Sequence, residues 1–162
     1  MDRVLVLGRG GAGKSTFARR LGAVTGVPVV ELDAVFWAAG LAGLSRAEWV
    51  ARQRELTAGP QWILDGDLGP YDVLEVRLVA ADTVVLLNFS LVRCVWRAVR
   101  RGRERRDFWW WVLGYRRRSL PGLRRVLAAS GVDVVELRSP AAAERFRADV
   151  EAEIRARRPS VD

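Results

Sequence analysis

The residues with the clearest chemical purpose lie at the start of the chain. Gly8-Arg9-Gly10-Gly11-Ala12-Gly13-Lys14-Ser15 fits the pattern G-x-x-x-x-G-K-[ST] at every fixed position, and it follows the apolar run Val4-Leu5-Val6-Leu7. Glycines in such a loop let the backbone turn tightly, so that its N–H groups can approach phosphate oxygens, and a helix starting at the lysine adds positive potential there. The segment Gly8, Gly10, Gly11, Ala12, Gly13, Lys14, Ser15 and Thr16 is therefore the candidate phosphate cradle. Lys14 would neutralise the outer phosphates and Ser15 would hold Mg²⁺. Lys14 is also the chain's only lysine, among many arginines. A compact, flexible ammonium at this one position is a different tool from a planar guanidinium.

Two aspartates have the right type and place to join it. Asp33 and Asp65 each end an apolar run, Pro28–Leu32 and Gln61–Leu64. In open parallel sheets ligands sit beyond the carboxyl ends of strands, so both would face the loop. Either could orient Mg²⁺ or accept a proton from an attacking hydroxyl.

The elements that must carry these groups alternate in type. A strand at Val4–Leu7, a helix ending near Gly26 and a strand at Pro28–Leu32 make a βαβ unit with a parallel sheet. Residues 34–44 read as a loop with at most a short helical turn. Ser45-Arg46-Ala47-Glu48 has the form of a capping box and opens a helix to about Ala58. A third strand follows at Gln61–Leu64, a short helix over Asp72–Ala80, and a fourth strand at Thr83–Leu87 that is apolar apart from its first residue. The next helix carries Leu91, Val95 and Val99 at spacing four, which predicts that this row faces inward. The pattern breaks over Gly102–Asp107, resumes as a helix over Tyr115–Ala129 interrupted or restarted at Pro121-Gly122, and ends with a strand at Val132–Leu137 and a helix opened by Ser139-Pro140. Residues 155–162 are expected to fray.

Composition sets bounds. The 162 residues suffice for one domain with a proper core. The chain has one cysteine, Cys94, and no histidine, which excludes an internal disulfide framework, a histidine-bound zinc and a histidine-based triad. No apolar stretch of transmembrane length and no basic-then-apolar leader is seen, and cytoplasm is the expected compartment. The formal charge of +8 is local: residues 93–125 hold twelve arginines against Glu104 and Asp107, and the remainder is slightly acidic.

These motifs resemble the adenylate-kinase-like group of P-loop proteins, to which shikimate kinase also belongs, and within it the small bacterial DNA topology modulation or adenylate-kinase-related family. The resemblance runs through the phosphate loop, Leu32-Asp33 with Phe36-Trp37, Trp62-Ile63-Leu64-Asp65-Gly66, Ala81-Asp82-Thr83-Val84, the arginine helix and Arg116-Arg117-Arg118. It implies a three-layer α/β fold with a five-stranded parallel sheet in the order 2-3-1-4-5, an acceptor-binding region at 34–60 and an arginine lid at 97–118. It further implies that Arg97 and Arg101 open the lid, that one of Arg116 to Arg118, here Arg117, returns to the phosphates, and that the stretch at Arg138 holds adenine. ATP or another NTP with Mg²⁺ and a small-molecule acceptor are the implied cofactors and partners, and phosphoryl transfer is the implied activity; the chain is expected to be a monomer, with a dimer as the alternative.

The departures are specific. Adenylate kinases clamp the acceptor's phosphate with arginines where this chain has Phe36 and the run Asp67-Leu68-Gly69-Pro70. Arg46, Arg52, Arg54 or Arg77 are the candidate substitutes, and Asp67 points toward either a metal role or an unphosphorylated, cationic or polyhydroxylated acceptor. Trp37 and Trp62 are either stacking surfaces or core. Trp96, Trp109, Trp110 and Trp111 among arginines also fit a single-strand nucleic-acid platform, so the alternative is a nucleotide-gated nucleic-acid-binding protein using residues 93–125.

Overall fold

The computed structural model describes residues 1–38, 45–68, 72–102 and 106–157, with backbone only for 37, 38, 101, 106–108, 110 and 111. Five strands, β1 (Arg3–Gly8), β2 (Val29–Glu31), β3 (Trp62–Asp65), β4 (Thr83–Leu87) and β5 (Asp133–Leu137), form one all-parallel sheet in the order β2-β3-β1-β4-β5. The central place of β1 follows from its sequence. A strand covered on both faces reads as a continuous apolar run, and Val4 and Val6 enter one core while Leu5 and Leu7 enter the other.

The first core lies under α1 (Lys14–Thr25), α5 (Leu91–Arg101) and α8 (Pro140–Arg157), with Phe17, Leu21, Cys94 and Phe146 packed on Ile63, Val85 and Leu87. The second lies under α4 (Leu74–Ala80), α6 (Arg106–Arg118) and α7 (Leu120–Ser130), with Leu78, Tyr115, Leu120 and Leu127 packed on Leu64, Val84 and Leu86. Burying each leucine contributes about 1.5–3 kcal/mol. A third cluster joins α2 (Leu32–Ala38) to α3 (Arg46–Leu56) through an edge-on contact of Phe36 with Trp49, ring centroids 5.0 Å apart.

Several local expectations change. Leu32–Ala38 is a helix rather than a loop, so Asp33 sits in its first turn and not at a strand end; residues 39–44 lie outside the described ones. The inward row of α5 is Cys94 and Ala98, whereas Val99 is exposed. The tryptophan run is helical within α6, and the chain restarts as α7 after Ser119, with Pro121 in its first turn. Residues 155–157 continue α8, held by Arg155–Glu151 and Arg157–Glu153 pairs one turn apart, and 158–162 lie outside the described residues. The Ser45–Glu48 capping box forms as read. Among the described residues no helix is long and apolar enough to cross a membrane.

Candidate active site

Parallel register brings Gly8, Glu31, Asp65, Leu87 and Leu137 to one edge of the sheet. The candidate site is built there. From Gly8 the chain enters a turn closed by the Ala12 N–H donating to the Arg9 carbonyl at 3.1 Å. Gly13, at φ 92°, then caps α1. The first intrahelical bond is from Phe17 N–H to Gly13 C=O at 2.9 Å, so the N–H groups of Lys14, Ser15 and Thr16 are the orphan donors of a helix start. The first turn of α1 carries no acidic residue, as suits an anion there.

Gly11 must be glycine because backbone presses on it, and Gly13 because of its φ of 92°. A methyl at Gly11 would fall 2.3 Å from the Cys94 carbonyl oxygen. One at Gly13 would fall 2.9 Å and 3.0 Å from the guanidinium nitrogens of Arg97. Arg97, expected to open a lid over the phosphates, therefore lies directly against the loop.

Asp65 is 4% exposed with the Ser15 hydroxyl close by, while its Oδ1 has no hydrogen-bond partner among the described residues. Burial pushes its pKa up, opposed by Lys14 and the Ser15 hydroxyl. Withdrawal from water raises Asp33 too, with Lys14 opposing and Asp67 adding to the rise. Lys14 thus faces both carboxylates, as the motif required. Mg²⁺ prefers a few oxygen ligands shared with phosphates and waters over a full protein cage. A buried carboxylate oxygen without a partner, beside the loop's serine, fits it. Among the described residues no histidine, cysteine or acidic cluster offers a separate metal cage.

The remaining candidates divide. Arg117 is exposed in the last turn of α6, and the side chain of Arg101 lies outside the described ones. Arg138 is drawn to Glu136, which also accepts from Asn88 and Arg124, forming a cluster of its own at the ends of β4 and β5. Of the substitute clamps, Arg77 is fully buried, paired with Asp72 and donating to the Gly66 carbonyl at 3.0 Å, so it braces the Asp65-Gly66-Asp67 turn from beneath. Arg77 also stands near Asp67, which answers part of that extra charge inside the protein. Arg52 pairs with Glu55, and Arg46 and Arg54 are not buried. Trp62 is core, its indole N–H donating to the Thr57 carbonyl at 3.2 Å. The Trp37, Trp110 and Trp111 side chains lie outside the described ones, Trp109 is half-buried, and Trp96 is exposed beneath Arg100, 4.6 Å from the ring centre.

Two groups escaped the sequence reading. Glu31, paired in register with Asp65, anchors Arg19 at 2.7 Å and adds to the negative field on both aspartates. Arg9 fills a position where the loop pattern accepts any residue, yet it is 2% exposed and lies 5.3 Å from the centre of the Tyr115 ring. An arginine inside an otherwise glycine-rich loop was its only signal.

No model of a known protein family and no curated protein matches the sequence. Among solved structures, the shikimate kinase from Acinetobacter baumannii in complex with shikimate is similar over 97% of this chain and 95% of its own, at 18% identity and a TM-score of 0.65. In all, 171 solved chains match, and a fold shared so widely decides architecture without selecting an acceptor. The architecture is a P-loop fold of the shikimate kinase kind, a five-stranded all-parallel sheet in the order 2-3-1-4-5 with helices on both faces.

Proposed function

We propose that the chain transfers a phosphoryl group from an NTP, ATP in the first instance, to a hydroxyl of a small-molecule acceptor. The observation that carries this reading is the buried Asp65 carboxyl near Lys14 and Ser15 at the start of α1, one of its oxygens without a partner among the described residues, with Lys14 also near Asp33. Backbone N–H groups from Gly11 to Thr16 and the Lys14 ammonium would bind the donor's β- and γ-phosphates. Ser15 and Asp65 would hold Mg²⁺, which when bound neutralises phosphate charge and aligns the donor. Asp33, more open to solvent and raised in pKa, is placed to take the proton from the acceptor hydroxyl. Arg97 supplies positive charge beside Gly13, and Arg101 and Arg117 belong to the same lid, residues 97–118, with 34–60 as the acceptor region. Arg138 is assigned to the adenine side.

The test is phosphoryl transfer by the purified protein with Mg²⁺ and ATP across nucleosides, nucleoside monophosphates and small hydroxylated metabolites, shikimate among them. Transfer to one acceptor class is expected, falling by about 100-fold or more in Lys14→Ala. ATP binding with no acceptor-stimulated turnover would overturn the reading and make the nucleotide a switch.

A further inference from the structure

Arg9 is the anomaly of the site. Its side chain is 2% exposed, and Nε and Nη1 have no hydrogen-bond partner among the described residues. Buried donors are almost always satisfied, and an unpaired buried cation costs several kcal/mol. The Tyr115 ring covers a face of the guanidinium, but a ring contact leaves the in-plane N–H donors unanswered. Among the described residues no carboxylate is paired with Arg9, and Arg116, a cation from the exposed last turn of α6, is near enough to act against its charge. Like charges near one another repel, and an anion between them relieves the repulsion.

We propose that Arg9 and Arg116 form a binding site for an anionic group of the acceptor, a phosphate ester or carboxylate gripped by the Arg9 fork beside the phosphate loop. This rests on the phosphotransferase reading and narrows its acceptor. The position suits that side of the site. Tyr115 has both Arg9 and Asp67 as neighbours, Asp67 neighbours Asp33, and Asp33 faces Lys14. An acceptor anchored at Arg9 would thus extend its hydroxyl along this row toward Asp33. The in-plane fork of a guanidinium matches two oxygens of such a group, which an ammonium cannot reproduce. The arrangement also replaces the clamps missing at Phe36 and Asp67-Leu68-Gly69-Pro70.

The experiment uses the full chain saturated with a non-hydrolysable ATP analogue and Mg²⁺, so that the phosphate loop is filled, and titrates inorganic phosphate and acetate separately by calorimetry. A saturable second-anion site is expected for at least one of them, weakened about 10-fold or more in Arg9→Met and less in Arg9→Lys, with analogue affinity unchanged. Arg116→Met, at an exposed position where folding is not at stake, is expected to weaken the same site. The inference is overturned if the loaded protein binds neither anion, if Arg9→Met and Arg116→Met bind them as the parent does, or if Arg9→Met loses the analogue instead. Failure of the analogue to bind, judged against Lys14→Ala, removes the phosphotransferase reading and this inference with it.

Discussion

Asp65 is held in a state the fold alone would not choose. Its carboxyl is raised above the ordinary value of 3.8 because burial outweighs Lys14 and the Ser15 hydroxyl. A carboxyl whose folded pKa exceeds its unfolded one stabilises the protein fully only below the unfolded value, and that contribution is lost as pH rises through the folded value. Above that folded value the protein carries an ionised, poorly solvated group. Asp65→Asn is expected to melt higher than the parent at neutral pH without nucleotide or metal, the gap closing toward acid pH where the parent carboxyl is protonated. Phosphoryl transfer by the same variant is expected to fall by about 100-fold or more, since the metal loses its carboxylate. Thermal melts across pH beside turnover check both halves; a lower melt at neutral pH would show that attraction to Lys14 dominates. Lys14, Ser15 and the two aspartates were legible because their chemistry needs fixed residue types at fixed places. Arg9 was not, because its position is constrained by what surrounds it in space.

Helices differ in how openly their sequence states their packing. The α3 start was legible, since serine and glutamate three apart satisfy one another's backbone: Ser45 N–H donates to Glu48 at 2.7 Å and Glu48 N–H to Ser45 at 3.3 Å. The α5 face was not. It presses on the phosphate loop closely enough that Gly11 admits no methyl, and such an approach selects the small Cys94 and Ala98 while larger Val92, Trp96 and Val99 are left outside. Apolar spacing alone then marks the wrong row. In α6 Val112 and Tyr115 are fully buried, which fixes the second half of that helix against the core. The ends of β4, β5 and α7 are tied by Glu136, which accepts from Asn88 at 2.8 Å and from Arg124 at 2.9 Å. Partial burial pushes Glu136 up, but the bonds from Asn88, Arg124 and Arg138 prevail and set it below its ordinary 4.5. A lowered carboxyl stabilises above its unfolded pKa and loses that contribution as pH falls through the folded value. Glu136→Gln is expected to cost about 0.5–1 kcal/mol at neutral pH, with solvent screening of the exposed arginines keeping it small. The loss should fade below the usual glutamate range. Denaturant titrations at two pH values check this, and equal losses at both would mean that shape rather than charge is at work.

Over the whole molecule the sheet order was legible only through motif resemblance, since apolar runs mark strands without saying which of them pair. The role of the charge is legible only once the arginines are placed. Residues 93–125 carry about ten net positive charges. In space these residues meet the loop at Arg97 and Arg9's surroundings at Arg116. Positive charge beside the loop should steer anionic nucleotides inward, and steering acts on association more than on dissociation. With a fluorescent ATP analogue, the association rate is expected to fall roughly 10-fold between about 50 mM and 500 mM salt, while dissociation changes little. Stopped-flow mixing measures both. Single-stranded oligonucleotide binding, followed over the same salts, separates steering from a nucleic-acid platform. Each phosphate neutralised adds about 0.7 to the log–log slope, so a steep slope of several units, undiminished by filling the phosphate loop, would assign the arginines to nucleic acid. A shallow slope together with salt-sensitive nucleotide association leaves them to the donor and acceptor at the loop.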